Sequence, residues 1–164
     1  MNLKEQCGLK GFYTVECRDA QGNLKWTDEI HNGIVTAGKN HILETEFRSG
    51  AQIGTWYFGF IDSVGYSALA DADTLASHAG WQENAEYSGS RKAWTPGAAS
   101  NGVMTNGTAI SFTMTDGGTI KGAFLCSAAS GTSGTLFSTG LFSGGDRVYQ
   151  NTDVINFTYT LTAA

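Results

Sequence analysis

The chain has 164 residues and a net charge of −5, and only 15% of its residues are charged, against about 25% in an ordinary domain. This length suits a single domain with its own core, and the sequence lacks both the Lys/Arg stripe of a nucleic-acid-binding protein and an apolar run of about 18 residues that would span a membrane. With 22 Gly and 1 Pro, the composition favours short strands joined by glycine-rich turns.

The first predicted element is a β-hairpin. Residues 11–19 and 24–31 flank the turn sequence AQGN, and apolar and polar side chains alternate in the first arm. Residues 1–10 precede this hairpin, and they are either a docking arm that orders on a partner or a frayed terminus.

Residues 36–47, TAGKNHILETEF, predict a helix. Thr36 is placed to cap its first turn, and Gly50 is available for a left-handed residue after its end. The apolar side chains that share one face at helical spacing are Ile42, Leu43 and Phe47.

Most of the remaining chain predicts short strands. Residues 108–115 and 153–162 alternate between apolar and polar side chains, which is typical of strands with one face in the core. Residues 54–62 are apolar on both faces, as in a central strand. Two more apolar segments lie at 119–128 and 134–142. Together these elements predict an all-β fold, a jelly-roll-like β-sandwich with one short helix, as a single domain over residues 1–164.

The stretch DADTLASHAGW, residues 71–81, has two interpretations. As a metal site it would use Asp71, Asp73 and His78. A calcium loop needs further oxygen ligands and a glutamate at its twelfth position, where this chain has Gln82. Zinc would need more Cys or His residues at close spacing. We therefore predict no metal and no cofactor.

The second interpretation of this stretch is structural, and it fits better. Asp73 would cap a single helical turn over residues 74–78 by accepting backbone N–H bonds. His78 would then lie at the negative end of that turn. The side chains expected to anchor the turn to the core are Leu75 and Trp81.

Catalytic motifs such as G-x-S-x-G, the P-loop and G-x-G-x-x-G do not occur in the sequence. A glycosidase needs only two carboxylates about 5–10 Å apart, but the acidic residues cluster in the first half of the chain. We predict that the chain is not an enzyme and has no catalytic residues. A sugar-binding module fits better than an enzyme, with Trp81, Tyr87 and Trp94 near polar groups, but the favoured interpretation of each Trp is an anchor in the core or at its rim.

The three cysteines are Cys7, Cys17 and Cys126, an odd number that cannot all pair. No apolar run follows the first lysines, so we expect no signal peptide. Without a secretory route, we expect reduced thiols that pack as small hydrophobic side chains.

Residues 122–145 contain no charged side chain. Protein surfaces normally carry charges that keep a monomer soluble, whereas the cores of interfaces are depleted of charge. This segment therefore predicts either an assembly surface or a buried strand followed by a loop. The residues assigned to the assembly surface are Leu136, Phe137, Leu141 and Phe142.

Several passages together resemble a known family. They are residues 32–43, 60–83, 91–94, 119–126 and 134–161, and they are similar to the capsid cement, or decoration, proteins of certain short-tailed bacteriophages. The shared features are packing and turn patterns over most of the chain, so the resemblance concerns fold and role and assigns no site.

The resemblance implies a jelly-roll-like virion protein, often dimeric, that is made in the host cytoplasm. It would lie on the outside of an icosahedral head and clamp neighbouring major capsid subunits after the shell expands. It implies no direct contact with nucleic acid or membrane. The alternative is a tail- or fibre-associated binding module that contacts host-surface glycans.

Overall fold

The computed structural model describes residues 8–163. Of the predicted docking arm, residues 1–7 lie outside the described residues, while Leu9 and Lys10 belong to the first strand. The strands are β1 (Leu9–Arg18), β2 (Leu24–Ile34), β3 (Trp56–Asp62), β4 (Glu83–Asn84), β5 (Lys92–Trp94), β6 (Val103–Thr105), β7 (Ile110–Thr113), β8 (Gly118–Cys126), β9 (Leu136–Leu141), β10 (Arg147–Tyr149) and β11 (Val154–Ala163), and the helix α1 spans Thr36–Phe47.

The eleven strands pair in antiparallel fashion and form two sheets that share β2. In the first sheet β1 lies between β2 and β11, and β6 and β7 share the far side of β11. In the second sheet β3 and β8 are central, with β4 and β5 beside β3, and β9 and β10 beside β8. The last residues of β2, Gly33 and Ile34, pair with β9, so one continuous strand joins the sheets.

Aromatic side chains from both sheets fill the space between them. The Phe60 ring centroid lies 4.5 Å from that of Phe112 and 5.3 Å from that of Phe157, and Tyr13 lies 5.4 Å from Phe58. All five side chains are fully buried. Alternate residues of β1, β3, β7 and β11 therefore face one common core, as in a sandwich. The predicted all-β fold with one helix is confirmed.

A second apolar cluster covers the outer face of the second sheet. Leu75 and Trp81, from the loop over residues 63–82, pack with Phe124 and Leu136. The ring centroids of Trp81 and Phe124 are 5.2 Å apart. As a result, much of β8 and β9 is buried on both faces, and such strands have no solvent-facing position for a charge.

This double burial explains much of the charge-free segment at 122–145. Leu136, Phe137 and Phe142 are buried in the chain's own core, so the predicted assembly surface is wrong for these three side chains. Leu141 is half-buried at the end of β9, and it alone of the four keeps an exposed part. The alternative interpretation, a buried strand, describes this segment.

Helix α1 has its predicted bounds but not its predicted cap. Val35 is the N-cap residue, and no side chain accepts a hydrogen bond from the first backbone N–H groups of the helix. The Thr36 N–H instead donates to the backbone oxygen of Asp71 at 2.8 Å. The left-handed residue after the helix is Ser49, with φ of 59°, rather than Gly50.

The face that α1 packs on the sheet also differs from the prediction. Gly38 is buried, and a Cβ there would overlap the backbone oxygen of Phe137. The helix thus approaches the sheet through its smallest residue, and Ile42 is half-buried against the core. Leu43 and Phe47 remain 57% and 80% exposed.

Candidate functional site

The three residues considered for a metal site do not converge. The Asp71 carboxylate is exposed and lies 3.8 Å from the Lys39 Nζ. The His78 ring stacks on Trp81, with a centroid distance of 3.8 Å. Between residues 8 and 163, no three His, Cys, Asp or Glu side chains are grouped so that they could hold a metal ion.

Asp73 has a structural role, although not the predicted one. Its Oδ2 accepts hydrogen bonds from the Ala70 N–H and the Trp81 indole N–H, both at 3.0 Å. The predicted helical turn is wrong, because Thr74 and Ser77 exchange backbone hydrogen bonds of 2.9 and 3.2 Å and close a tight turn. The carboxylate therefore fixes the loop to the indole. The predicted anchoring of this loop is confirmed, since Leu75 and Trp81 are buried.

The aromatic residues considered for a sugar site are buried as well. Trp81, Tyr87 and Trp94 are 2%, 5% and 7% exposed. The Trp94 ring packs edge-on against Tyr159 at 5.2 Å. The Tyr87 hydroxyl donates to Glu83 at 3.1 Å, and burial, followed by the Glu83 charge, raises the pKa of Tyr87. None of the three offers a ring face to a sugar.

Glu83 and Arg91 form a largely buried ion pair with a closest distance of 2.6 Å. Arg91 also donates to the backbone oxygen of Ala128 at 3.0 Å and lies over the Phe124 ring at 5.1 Å. Removing one partner of such a pair leaves an uncompensated charge and is strongly destabilising. The Glu83–Arg91 pair therefore holds the segments around Glu83, Arg91 and Ala128 together on the second sheet.

An apolar groove of about 270 Å³ lies where α1 meets the sandwich. Its polar residues, His41, Thr45, Glu46 and Gln52, come from α1 and the segment that follows it. A concave, mainly apolar surface with a few polar groups is the usual form of a binding site in a protein. The main apolar side chains that line it are Leu9, Ile42, Trp56, Met104, Phe137 and Leu161.

Trp56 connects the helix to the sheet inside this groove. Its ring centroid lies 5.4 Å from that of His41 on α1 and 5.1 Å from that of Phe137 on β9. The side chain is half-buried, so part of a large aromatic ring remains accessible. Tryptophan in such a position is typical of the anchors that dominate protein interfaces.

The side of α1 turned away from the groove carries its two most exposed apolar side chains, Leu43 and Phe47. Glu44 and Arg48 lie between and after them, and their side chains pair with each other at 3.1 Å. The apolar patch is thus flanked by a neutralised pair of charges. Helix α1 therefore lines the groove with one side and exposes Leu43 and Phe47 on the other, and we call these two surfaces together the α1 face.

The sequence did not reveal the α1 face. Leu43 and Phe47 are spaced four residues apart, but this spacing predicted a buried helix face. The groove is assembled from strands that are distant in the chain, because Leu9 and Leu161 pair at one end of the first sheet while Phe137 comes from β9. Such a site has no local signature.

Over residues 8–163, the fold and this surface define a β-sandwich protein with a single short helix that exposes apolar side chains. No protein-family model and no curated protein matches the chain. In the part of the chain that the structure describes, no helix has both the length and the apolar character needed to cross a membrane.

Proposed function

We propose that this chain is a structural virion protein, a capsid cement or decoration protein. It binds the outside of an icosahedral phage head and stabilises contacts between major capsid subunits. The observation that carries the proposal is the α1 face, with Phe47 80% exposed on a helix whose other side lines an apolar groove. Exposed apolar patches of this kind mark protein–protein contact sites, and the sequence passages that resemble cement proteins indicate which partner this one meets.

The rest of the molecule supports the role of a clamp. Asp28 of β2 pairs with Arg147 and also accepts the Gly144 N–H at 3.1 Å. Asp153, just before β11, pairs with Lys25. Both carboxylates are largely buried, so these pairs hold the loops of the sandwich in fixed positions. A rigid body transmits load between the subunits that it joins.

Binding energy at each position need not be large. Full burial of a side chain such as Phe or Leu contributes about 1.5–3 kcal/mol. A protein that binds the mature shell but not free subunits stabilises the shell by mass action. Repeated contacts over a symmetric shell, and a dimeric form of the chain, add avidity. The proposed role involves no catalytic step, cofactor, nucleic acid or membrane.

The first experiment is co-sedimentation of the purified chain with expanded, tail-less heads that lack it. We expect binding to saturate at a fixed ratio to the major capsid protein, and the heads to resist heat better. Absence of binding to such heads contradicts the cement role and directs the search to the tail.

Matched variants then test the α1 face. Phe47→Asp and Leu43→Asp are expected to abolish or greatly weaken binding. The controls are Val64→Asp and Val148→Asp, which alter side chains with similar exposure, 74% and 55%, outside α1. Folding of all four variants is checked by circular dichroism. Equal loss of binding in variants and controls, or full binding by Phe47→Asp, contradicts the assignment of this face.

A further inference from the structure

The chain contains three Asn-Gly pairs, at residues 32–33, 101–102 and 106–107. In such a pair the glycine nitrogen can attack the side-chain amide carbon of the asparagine, since glycine has no Cβ to hinder the approach. The reaction requires an asparagine side chain that can rotate towards the next backbone nitrogen. The structure places the three pairs in very different surroundings.

The pair at 101–102 forms the tip of a tight hairpin. Asn101 and Gly102 have φ values of 51° and 74°, and Ser100 and Val103 exchange backbone hydrogen bonds of 2.9 and 3.0 Å. This is a two-residue turn with positive φ at both central positions. Both residues are exposed, and within residues 8–163 the Gly102 N–H has no hydrogen-bond acceptor.

The other two pairs are held by hydrogen bonds. Asn106 is buried, its Oδ1 accepts the Tyr159 N–H at 2.6 Å, and its Nδ2 donates to the backbone oxygen of Thr108. Asn32 is half-buried inside β2, and its Nδ2 donates to the Tyr159 hydroxyl at 3.1 Å. In both cases, rotation of the side chain would break hydrogen bonds inside the sandwich.

We propose that Asn101 is a site of spontaneous covalent modification, and that the folded structure protects the other two asparagines. The Gly102 nitrogen bonds to the Asn101 side-chain carbon, the bond to Nδ2 breaks, and ammonia leaves with the proton of the Gly102 amide. Water then adds to one of the two carbonyls of the resulting succinimide. The product is an aspartyl or isoaspartyl residue at position 101, with one additional negative charge.

The modification acts next to a wall of the α1 face. The Gly102 oxygen accepts the Ala163 N–H at 2.8 Å, and Met104, which lines the groove, pairs with Leu161. An isoaspartyl linkage adds one backbone atom to a turn that holds only two residues. It therefore disturbs the pairing of β6 with the end of β11. This inference does not depend on the proposed function.

The test is incubation of the full chain in mildly alkaline buffer at physiological temperature, followed by peptide mass spectrometry and an enzymatic assay for isoaspartate. We expect an acidic form to accumulate with its modification at residue 101. Asn101→Gly, which suits positive φ but cannot react, should remove most of this form. In urea, all three pairs should react at comparable rates.

Two results overturn the proposal. One is modification at residue 32 or 106 ahead of residue 101 in the folded protein. The other is an unmodified folded chain after a time that converts the urea-unfolded chain. Asn106→Gln serves as a control and should leave the rate at residue 101 unchanged if it folds normally.

Discussion

Replacing Asp73 by alanine tests how the loop over residues 63–82 is held on the second sheet. Both hydrogen bonds that the carboxylate accepts, from Ala70 and from the Trp81 indole, end on the same oxygen, Oδ2. The Trp81 side chain is almost fully buried, so its N–H has no access to water once the acceptor is gone. The Ala70 N–H is only partly buried and can bond to water instead.

The expected cost follows from this asymmetry. A buried donor without an acceptor costs about 1–3 kcal/mol, while the loss of an ordinary helix cap costs about 1 kcal/mol. We therefore expect Asp73→Ala to lower the free energy of unfolding by about 2–3 kcal/mol, because hydrogen bonds to a charged group are stronger than neutral ones. Asp73→Asn keeps one carbonyl oxygen that can accept both bonds, and its cost should stay near 1 kcal/mol.

Urea unfolding followed by tryptophan fluorescence measures both variants. Asp71→Ala is the matched control, since its carboxylate is 82% exposed and its removal should change stability by less than about 0.5 kcal/mol. Equal losses for Asp73→Asn and Asp73→Ala would refute the reasoning, because the charge rather than the shared acceptor would then hold the loop. An effect of Asp71→Ala as large as that of Asp73→Ala would refute it too.

Two further predictions concern the helix and the buried ionisable groups. Gly38→Ala improves helix propensity by about 1 kcal/mol, but the added Cβ would overlap the Phe137 backbone oxygen. We therefore expect the free energy of unfolding, measured by thermal denaturation, to fall by about 1–3 kcal/mol. Exposed Asn40→Ala is the control, and a gain in stability for Gly38→Ala as large as that of this control contradicts the close packing. Burial, and next the charge of Asp153, raises the pKa of Cys17 from 9.0 to about 12, and burial raises the pKa of Tyr159 from 10.0 to about 12. Both groups ionise more readily in the unfolded chain, so their contribution to stability is complete below pH 9 and is lost as the pH rises towards 12. Urea midpoints across this range should fall, and less steeply for Cys17→Ala; a flat profile contradicts the assignment.

The sequence predicted the features that depend on local pattern. The bounds of α1 were correct, and so was the alternation in β11, where Ile155, Phe157 and Tyr159 face the core. Very short strands such as β4 and β6 were missed, because two or three residues show no period and pair only through their neighbours.

The predictions from sequence were wrong where two different structural causes produce the same sequence pattern. The absence of charged residues at 122–145 reflects the burial of β8 and β9 on both faces. A segment buried in an interface would have the same composition, so composition alone does not distinguish the two. Leu43 and Phe47 share a helix face, yet α1 packs through Gly38 because close approach to a backbone requires a small residue. Asp73 was predicted to cap the residues that follow it, but its carboxylate accepts hydrogen bonds from Ala70, three residues earlier, and from Trp81, eight residues later.

The pairing of β1 with β11 has a consequence for the order of folding. Ten residue pairs join these strands, from Leu9 with Ala163 to Arg18 with Val154. During synthesis the hairpin of β1 and β2 emerges early, but the strand that completes its sheet leaves the ribosome only after about 130 further residues have been added. Contacts between such distant segments form slowly. Until then Tyr13 and Val15, which are fully buried in the finished fold, are not packed against β11, and apolar surface exposed in this way favours aggregation.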